Sequence, residues 1–170
     1  MNLKIIGAVC VIVACGSCGF LMASQHLAKI RLFRNLISVL DYMQCELQYR
    51  CTYLPQLCRQ SGEQVNGKIQ QVFLLLADEL DEQISPNAYR CMAAVLDKLG
   101  ATETAWGAIL LELGKNLGNF DMAGQLQGLE YARTLCRENL EKLMHNKESR
   151  LRSYQTLGLC AGAAIAILFV

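Results

Sequence analysis

The strongest constraint on this chain is where its charges stop. No Asp, Glu, Lys or Arg occurs from Ile5 to Ala28 or from Ser153 to Val170, and every carboxylate lies between Asp41 and Glu148. Two apolar ends therefore bracket a polar middle. That middle, about 120 residues long, is enough for one hydrophobic core and one domain. The total charge of +1 says little beside this arrangement.

A helix needs about 20 mostly apolar residues to cross a bilayer. The first end offers Ile5, Ile6, Val9, Val11, Ile12, Val13, Phe20, Leu21 and Met22. The last end, Tyr154 to Val170, is shorter but comparably apolar, and its Gly158 and Gly162 form the small-xxx-small pair that allows close helix approach in lipid. The expectation is an all-α chain, a small helical bundle flanked by an N-terminal and a C-terminal transmembrane helix. Its parts are a transmembrane helix over 3–25, a cytoplasmic helical domain over 27–150 and a transmembrane helix over 153–170. Lys29, Arg31 and Arg34 follow the first span, and Lys147, Arg150 and Arg152 precede the second. The positive-inside rule puts the middle in the cytoplasm and both termini across the membrane. The competing reading takes Ile12-Val13-Ala14-Cys15 as a lipoprotein cleavage box, which would make the chain a lipidated extracytoplasmic helical binding module. A single Lys in the n-region and an apolar run that continues past Cys15 argue against it.

With only Pro55 and Pro86 as prolines, long helices are open to the chain. Phe33, Leu36, Ile37, Leu40, Met43 and Leu47 recur at helical spacing on one face, in a helix that can run on from the first apolar segment. Pro55 suits the first turn of a short helix, expected to break at Ser61-Gly62, and Asn66-Gly67 marks a turn. Ile69, Val72, Phe73, Leu76 and Leu80 share the next face. Ser85-Pro86 reads as a cap and first helical residue before Met92, Val95, Leu96 and Leu99, and Gly100 ends that helix. Trp106, as a core anchor, Ile109, Leu110, Leu113 and Leu117 form another, stopped by Gly118. A last helix begins near Asn119 or Asp121, carries Met122, Leu126, Leu129, Cys136, Leu140 and Leu143, and meets no breaker before the second apolar segment.

The nine cysteines do not describe a disulfide framework or a metal site. Cys45, Cys51 and Cys58 are spaced by six and seven, unlike a zinc knuckle, and neither His26 nor His145 sits in a ligand motif. In a reducing compartment such thiols pack as small hydrophobes. Cys15-Gly16-Ser17-Cys18 has redox spacing but lies in an apolar segment without the positive surroundings that activate a thiol. The sequence carries no Gly-rich phosphate loop, no nucleophile and base at motif spacing, and no basic face interleaved with aromatics. We therefore expect an assembly component rather than an enzyme, with no cofactor, nucleic acid or small-molecule substrate.

Three segments carry a family resemblance. Leu113-Gly114-Lys115-Asn116-Leu117-Gly118-Asn119-Phe120-Asp121-Met122-Ala123-Gly124-Gln125, continued by Leu129-Glu130, resembles the LG-xx-D-xxx-Q segment of the stage III sporulation protein AB family. Glu46-Leu47-Gln48-Tyr49 and Tyr53-Leu54-Pro55 are similar to its E-xx-Y and LP motifs, and Tyr154, Leu157-Gly158 and Gly7 fit in order. The Cys-rich first segment and Phe120, where a small polar residue is more usual, depart from the pattern.

The resemblance implies a scaffold related to the inner-membrane platform proteins of type II secretion and type IV pilus machines. Such a subunit belongs to the channel complex between mother cell and forespore that endospore formation requires. It would sit in the mother-cell-derived outer forespore membrane as a two-pass protein, beside other membrane subunits, docking a secretion-type ATPase. Glu46, Tyr49, Pro55, Asp121, Gln125 and Glu130 are then the candidate partner-binding residues. The same residues also admit structural roles. Asp121 can cap a helix and complement its dipole, Gly118 can supply a left-handed corner, and Tyr49 can pack with its hydroxyl bonded to backbone.

Overall fold

The computed structural model of the chain describes the backbone over residues 2–50, 52–82, 87–118 and 121–169, and side-chain surroundings over the same segments between 24 and 145. Among the described residues the structure is helical throughout: α1 (Asn2–Arg50), α2 (Leu54–Glu63), α3 (Lys68–Glu82), α4 (Ala88–Lys98), α5 (Ala105–Asn116) and α6 (Met122–Phe169). The chain divides into two compact units, one of Met1–Ile30 with Glu141–Val170 and the other of Arg31–Leu140.

The all-α expectation holds, but its flanking transmembrane helices are corrected. Among the described residues no helix is long and apolar enough to cross a membrane. The apolar ends are not elements of their own. Each is one end of a helix of 49 or 48 residues. The described remainder of those helices is amphipathic, as the alternation of exposed Arg31 and Arg34 with buried Phe33 and Leu36 shows in α1. The expected spans 3–25 and 153–170 fall almost wholly on residues whose side chains lie outside the described ones, as do Cys15, Cys18, Gly158 and Gly162.

Within Arg31–Leu140 the apolar periodicity becomes a single core. Leu36, Val39, Leu40 and Met43 of α1 are at most 1% exposed, as are Val72, Phe73 and Leu76 of α3, Met92, Val95 and Leu96 of α4, Leu110 and Leu113 of α5, and Leu129 and Cys136 of α6. Helix α3 packs between α2 and α4, and α4 packs on α5. Asn35 of α1 donates from its amide to the Asn66 carbonyl of the α2–α3 turn at 2.9 Å.

The turns follow local chemistry with two departures. Gly67, Gly100 and Gly118 adopt left-handed φ of 85°, 61° and 76°, where an L side chain would be strained. The expected break at Ser61-Gly62 does not occur, since α2 runs through it. Ser61 turns its hydroxyl back onto the Leu57 carbonyl at 2.6 Å, which satisfies it inside the helix. Gly62 is needed for closeness: a Cβ there would lie 3.2 Å from Cβ of Phe73 on α3. The second departure is at α4, which is capped by Asn87, whose side chain accepts from the Arg90 N–H at 3.2 Å. Ser85 and Pro86 lie outside the described residues. Thr104 caps α5 in the same way, accepting from Gly107 N–H at 3.1 Å.

The described cysteines are free thiols, with Cys45 exposed and Cys58, Cys91 and Cys136 buried. Burial pushes the Cys58 and Cys136 thiols up to about 12, so both pack as neutral hydrophobes. Among the described residues no group of three His, Cys, Asp or Glu is placed to hold a metal ion.

Candidate functional site

Two stretches that are far apart in sequence meet at one open cleft. Its volume is about 290 Å³, and it is lined by Leu47 of α1, Thr52 of the α1–α2 connection, Leu54 at the start of α2, Gly118 of the α5–α6 corner, and Met122 and Gln125 of α6. Leu47, Leu54 and Met122 make the lining mostly apolar, and Thr52 and Gln125 supply its polar side chains.

The first wall is built around a buried carboxylate. Glu46 is 8% exposed, in the last turns of α1. It accepts from the Thr52 hydroxyl at 3.2 Å, and the Arg50 guanidinium, itself largely in solvent, lies 3.6 Å from it. Burial first, then the nearby Glu46 carboxylate, raises the pKa of the Tyr42 phenol. Pro55 is buried in the first turn of α2, where its missing N–H leaves no helical bond unmade. Tyr49 and Tyr53 flank these residues in sequence and face solvent, 76% and 64% exposed.

The second wall is built from backbone. The Leu117 N–H closes α5 onto the Leu113 carbonyl at 3.1 Å, and Gly118 reverses the chain at φ 76°. Asp121 then starts α6: its side chain accepts from the Gly124 N–H at 3.0 Å, and its carbonyl accepts from the Gln125 N–H at 3.0 Å. One turn into α6, Gln125 reaches the cleft, and Met122 is 42% exposed at its edge.

The six candidate residues thus separate. Gln125 lines the cleft. Glu46 stands behind Thr52, Pro55 is buried next to Leu54, and Asp121 is engaged as a cap. Tyr49 is exposed beside the first wall. Glu130 belongs elsewhere. It pairs with Arg133, which also holds Asp41 of α1 at 2.9 Å, so this cluster joins α6 to α1. The Arg133 guanidinium, against some desolvation and with help from Gln44, holds the Glu130 carboxyl below its ordinary range. Thr52, Leu47, Leu54 and Met122 line the cleft but were not among the candidate binding residues. Leu47 and Met122 read as apolar helix-face residues and Leu54 as part of a motif, and Thr52 becomes informative only once Glu46 is seen to be buried.

The sequence comparisons extend over nearly the whole chain. A family model described as stage III sporulation protein AB matches residues 4–170. Stage III sporulation protein AB of Bacillus subtilis is 25% identical over 171 residues, covering 99% of each chain. A solved structure of a stage III sporulation protein AB superposes with a TM-score of 0.64 at 22% identity, covering 72% of this chain and 98% of the other, a likeness of fold.

Proposed function

This chain belongs to the stage III sporulation protein AB family, and from that premise we propose that it acts by contact, as a scaffold subunit of the channel complex between mother cell and forespore. In this reading it docks a secretion-type ATPase, with other membrane subunits as neighbours. The Arg31–Leu140 unit faces the mother-cell cytoplasm at the outer forespore membrane.

One observation carries the proposal. The Leu47–Leu54 stretch and the Gly118–Gln125 stretch converge on a single cleft, and Tyr49 and Tyr53, which lie between Leu47 and Leu54 in sequence, are exposed. Tyrosine is among the residues enriched where binding energy concentrates, and methionine adapts its shape to a partner. An apolar floor with a hydroxyl and an amide on its walls suits the capture of a protruding side chain from another protein.

The test is co-purification of the secretion-type ATPase subunit with the full-length chain. Tyr49→Ala combined with Gln125→Ala takes one side chain from each stretch. Retention of the ATPase should fall about tenfold or more, as for the loss of an interface anchor, while the thermal midpoint holds. A lowered midpoint with full retention of the ATPase would leave both residues structural and end the docking reading.

A further inference from the structure

One position on α6 breaks the pattern of its own helix. Met122, Leu129, Cys136 and Leu143 recur every seven residues, and so do Leu126 and Leu140, but between these two stands Arg133. The surroundings are covered. Leu129, Ala132 and Cys136 are at most 2% exposed, and the Arg133 side chain itself is 22% exposed. Its Nη1 donates to Asp41 Oδ1 of α1 at 2.9 Å, its Nη2 donates to Glu130 of its own helix, and its buried Nε has no acceptor. We propose that Arg133 serves alignment rather than stability: paired with Asp41, it holds α6 at one axial position along α1 and so keeps the two helical walls of the cleft in step.

An apolar stripe with a seven-residue repeat is poor at fixing position. Slid by one heptad, about 10 Å, it offers leucine where leucine stood. A guanidinium is not indifferent in this way. Arg133 gives up most of its water, leaves one N–H unbonded, and is matched by two carboxylates that are each about half exposed. Its net contribution to stability is therefore small or unfavourable. Its attachment to α1 is nonetheless selective. Four residues to either side of Asp41 stand Ile37 and Cys45, and neither balances a cation. A slide that brought Arg137 onto Asp41 would carry Arg133 to the level of Cys45. Glu130 travels with Arg133 in every alignment, so it compensates the charge without choosing a position. Asp41 makes the choice.

The consequence reaches the cleft. Leu47 follows Asp41 on α1, whereas Met122 and Gln125 precede Arg133 on α6, and both sets of residues meet, so the two helices run antiparallel here. A displacement of α6 along α1 would move Met122 and Gln125 past Leu47.

Pulsed EPR on the full-length chain reads the alignment directly. Spin labels carried on unnatural side chains at Gln48 of α1 and Glu138 of α6, both exposed, stand on opposite sides of the Asp41–Arg133 contact, so a slide changes their separation. The urea midpoint is measured on each variant. With Arg133 and Asp41 intact the distance should be single. Arg133→Leu with Asp41→Ala completes the apolar stripe. That variant should unfold at a urea concentration equal to or above that of wild type, and show a second distance displaced by about 5 Å or more, one helical turn. Asp41→Ala alone should add the second distance as well, whereas Glu130→Gln, which leaves Asp41 in place, should not. A single, unshifted distance in the double variant or in Asp41→Ala means that apolar packing sets the alignment by itself, and overturns the proposal. So does a lowered urea midpoint in the double variant, whatever its distances, because Arg133 then serves stability. A second distance in wild type, or one as populated in Glu130→Gln as in Asp41→Ala, removes the selective role of Asp41 and overturns it too.

Discussion

The two corners that form the cleft are built on opposite principles. The α5–α6 corner is local: Gly118 turns the backbone, and Asp121 caps the helix three residues ahead of it. The α1–α2 corner is a long-reach construction, in which Glu46 crosses six residues to hold Thr52 and is itself buried in the process. A local corner depends on the conformational preference of one or two residues. A corner hung on a buried carboxylate depends on every partner of that group staying in place, because in low dielectric an abandoned donor is costly. The difference predicts unequal fragility on the two sides of one site.

The largest effect should come from the first corner. Glu46→Ala leaves the Thr52 hydroxyl without its charged acceptor, and should destabilise the chain by about 2–3 kcal/mol in a urea unfolding curve. A smaller loss than that of Asp121→Ala would reverse the ranking of the two corners. Next comes Gly118→Ala, at about 1–2 kcal/mol, since a left-handed φ strains any residue with a Cβ. A Cβ there meets only Leu54 Cδ2, at an ordinary 3.5 Å, so the effect is backbone strain without crowding. Gly118→Asn should therefore be milder than Gly118→Ala, and equal losses would point to crowding after all. The smallest effect is Asp121→Ala, at about 1 kcal/mol for a lost cap, largely recovered by Asp121→Ser. Failure of serine to recover it would mean that the carboxylate does more than cap.

This contrast also marks what the sequence could tell. The α5–α6 corner was legible because Gly118 and Asp121 carry their geometry with them, and the same held for Gly67 and Gly100. Helix periodicity put Leu36, Leu40, Phe73, Leu96 and Leu113 in the core, where they are. Ser61-Gly62 misled because its meaning is set by Phe73, eleven positions on, and local turn preference gives way to packing. Asn87 rather than Ser85 caps α4, a shift of two residues that spacing alone does not resolve. The continuity of α1 and α6 with the apolar ends was legible from the lack of any breaker, whereas the flanking transmembrane helices are not supported among the described residues. Of the candidate partner-binding residues, Gln125 lines the cleft, whereas Glu46 is 8% exposed. Its burial follows from the neighbours that α1 and α2 bring to it, and a single sequence does not display them.

The glycines at helix contacts carry a consequence for how this chain can change. A Cβ on Gly62 would stand 3.2 Å from Phe73, one on Gly114 3.2 Å from Met92 and from the Tyr89 backbone, and one on Gly128 2.6 Å from Asn116. Elsewhere in the core one apolar residue can replace another of similar volume with modest loss. At these three points there is nothing to exchange, because the neighbouring helix already occupies the place of a side chain. Drift in such a chain is asymmetric: its large residues can wander among themselves, while its smallest ones are fixed by the absence of room.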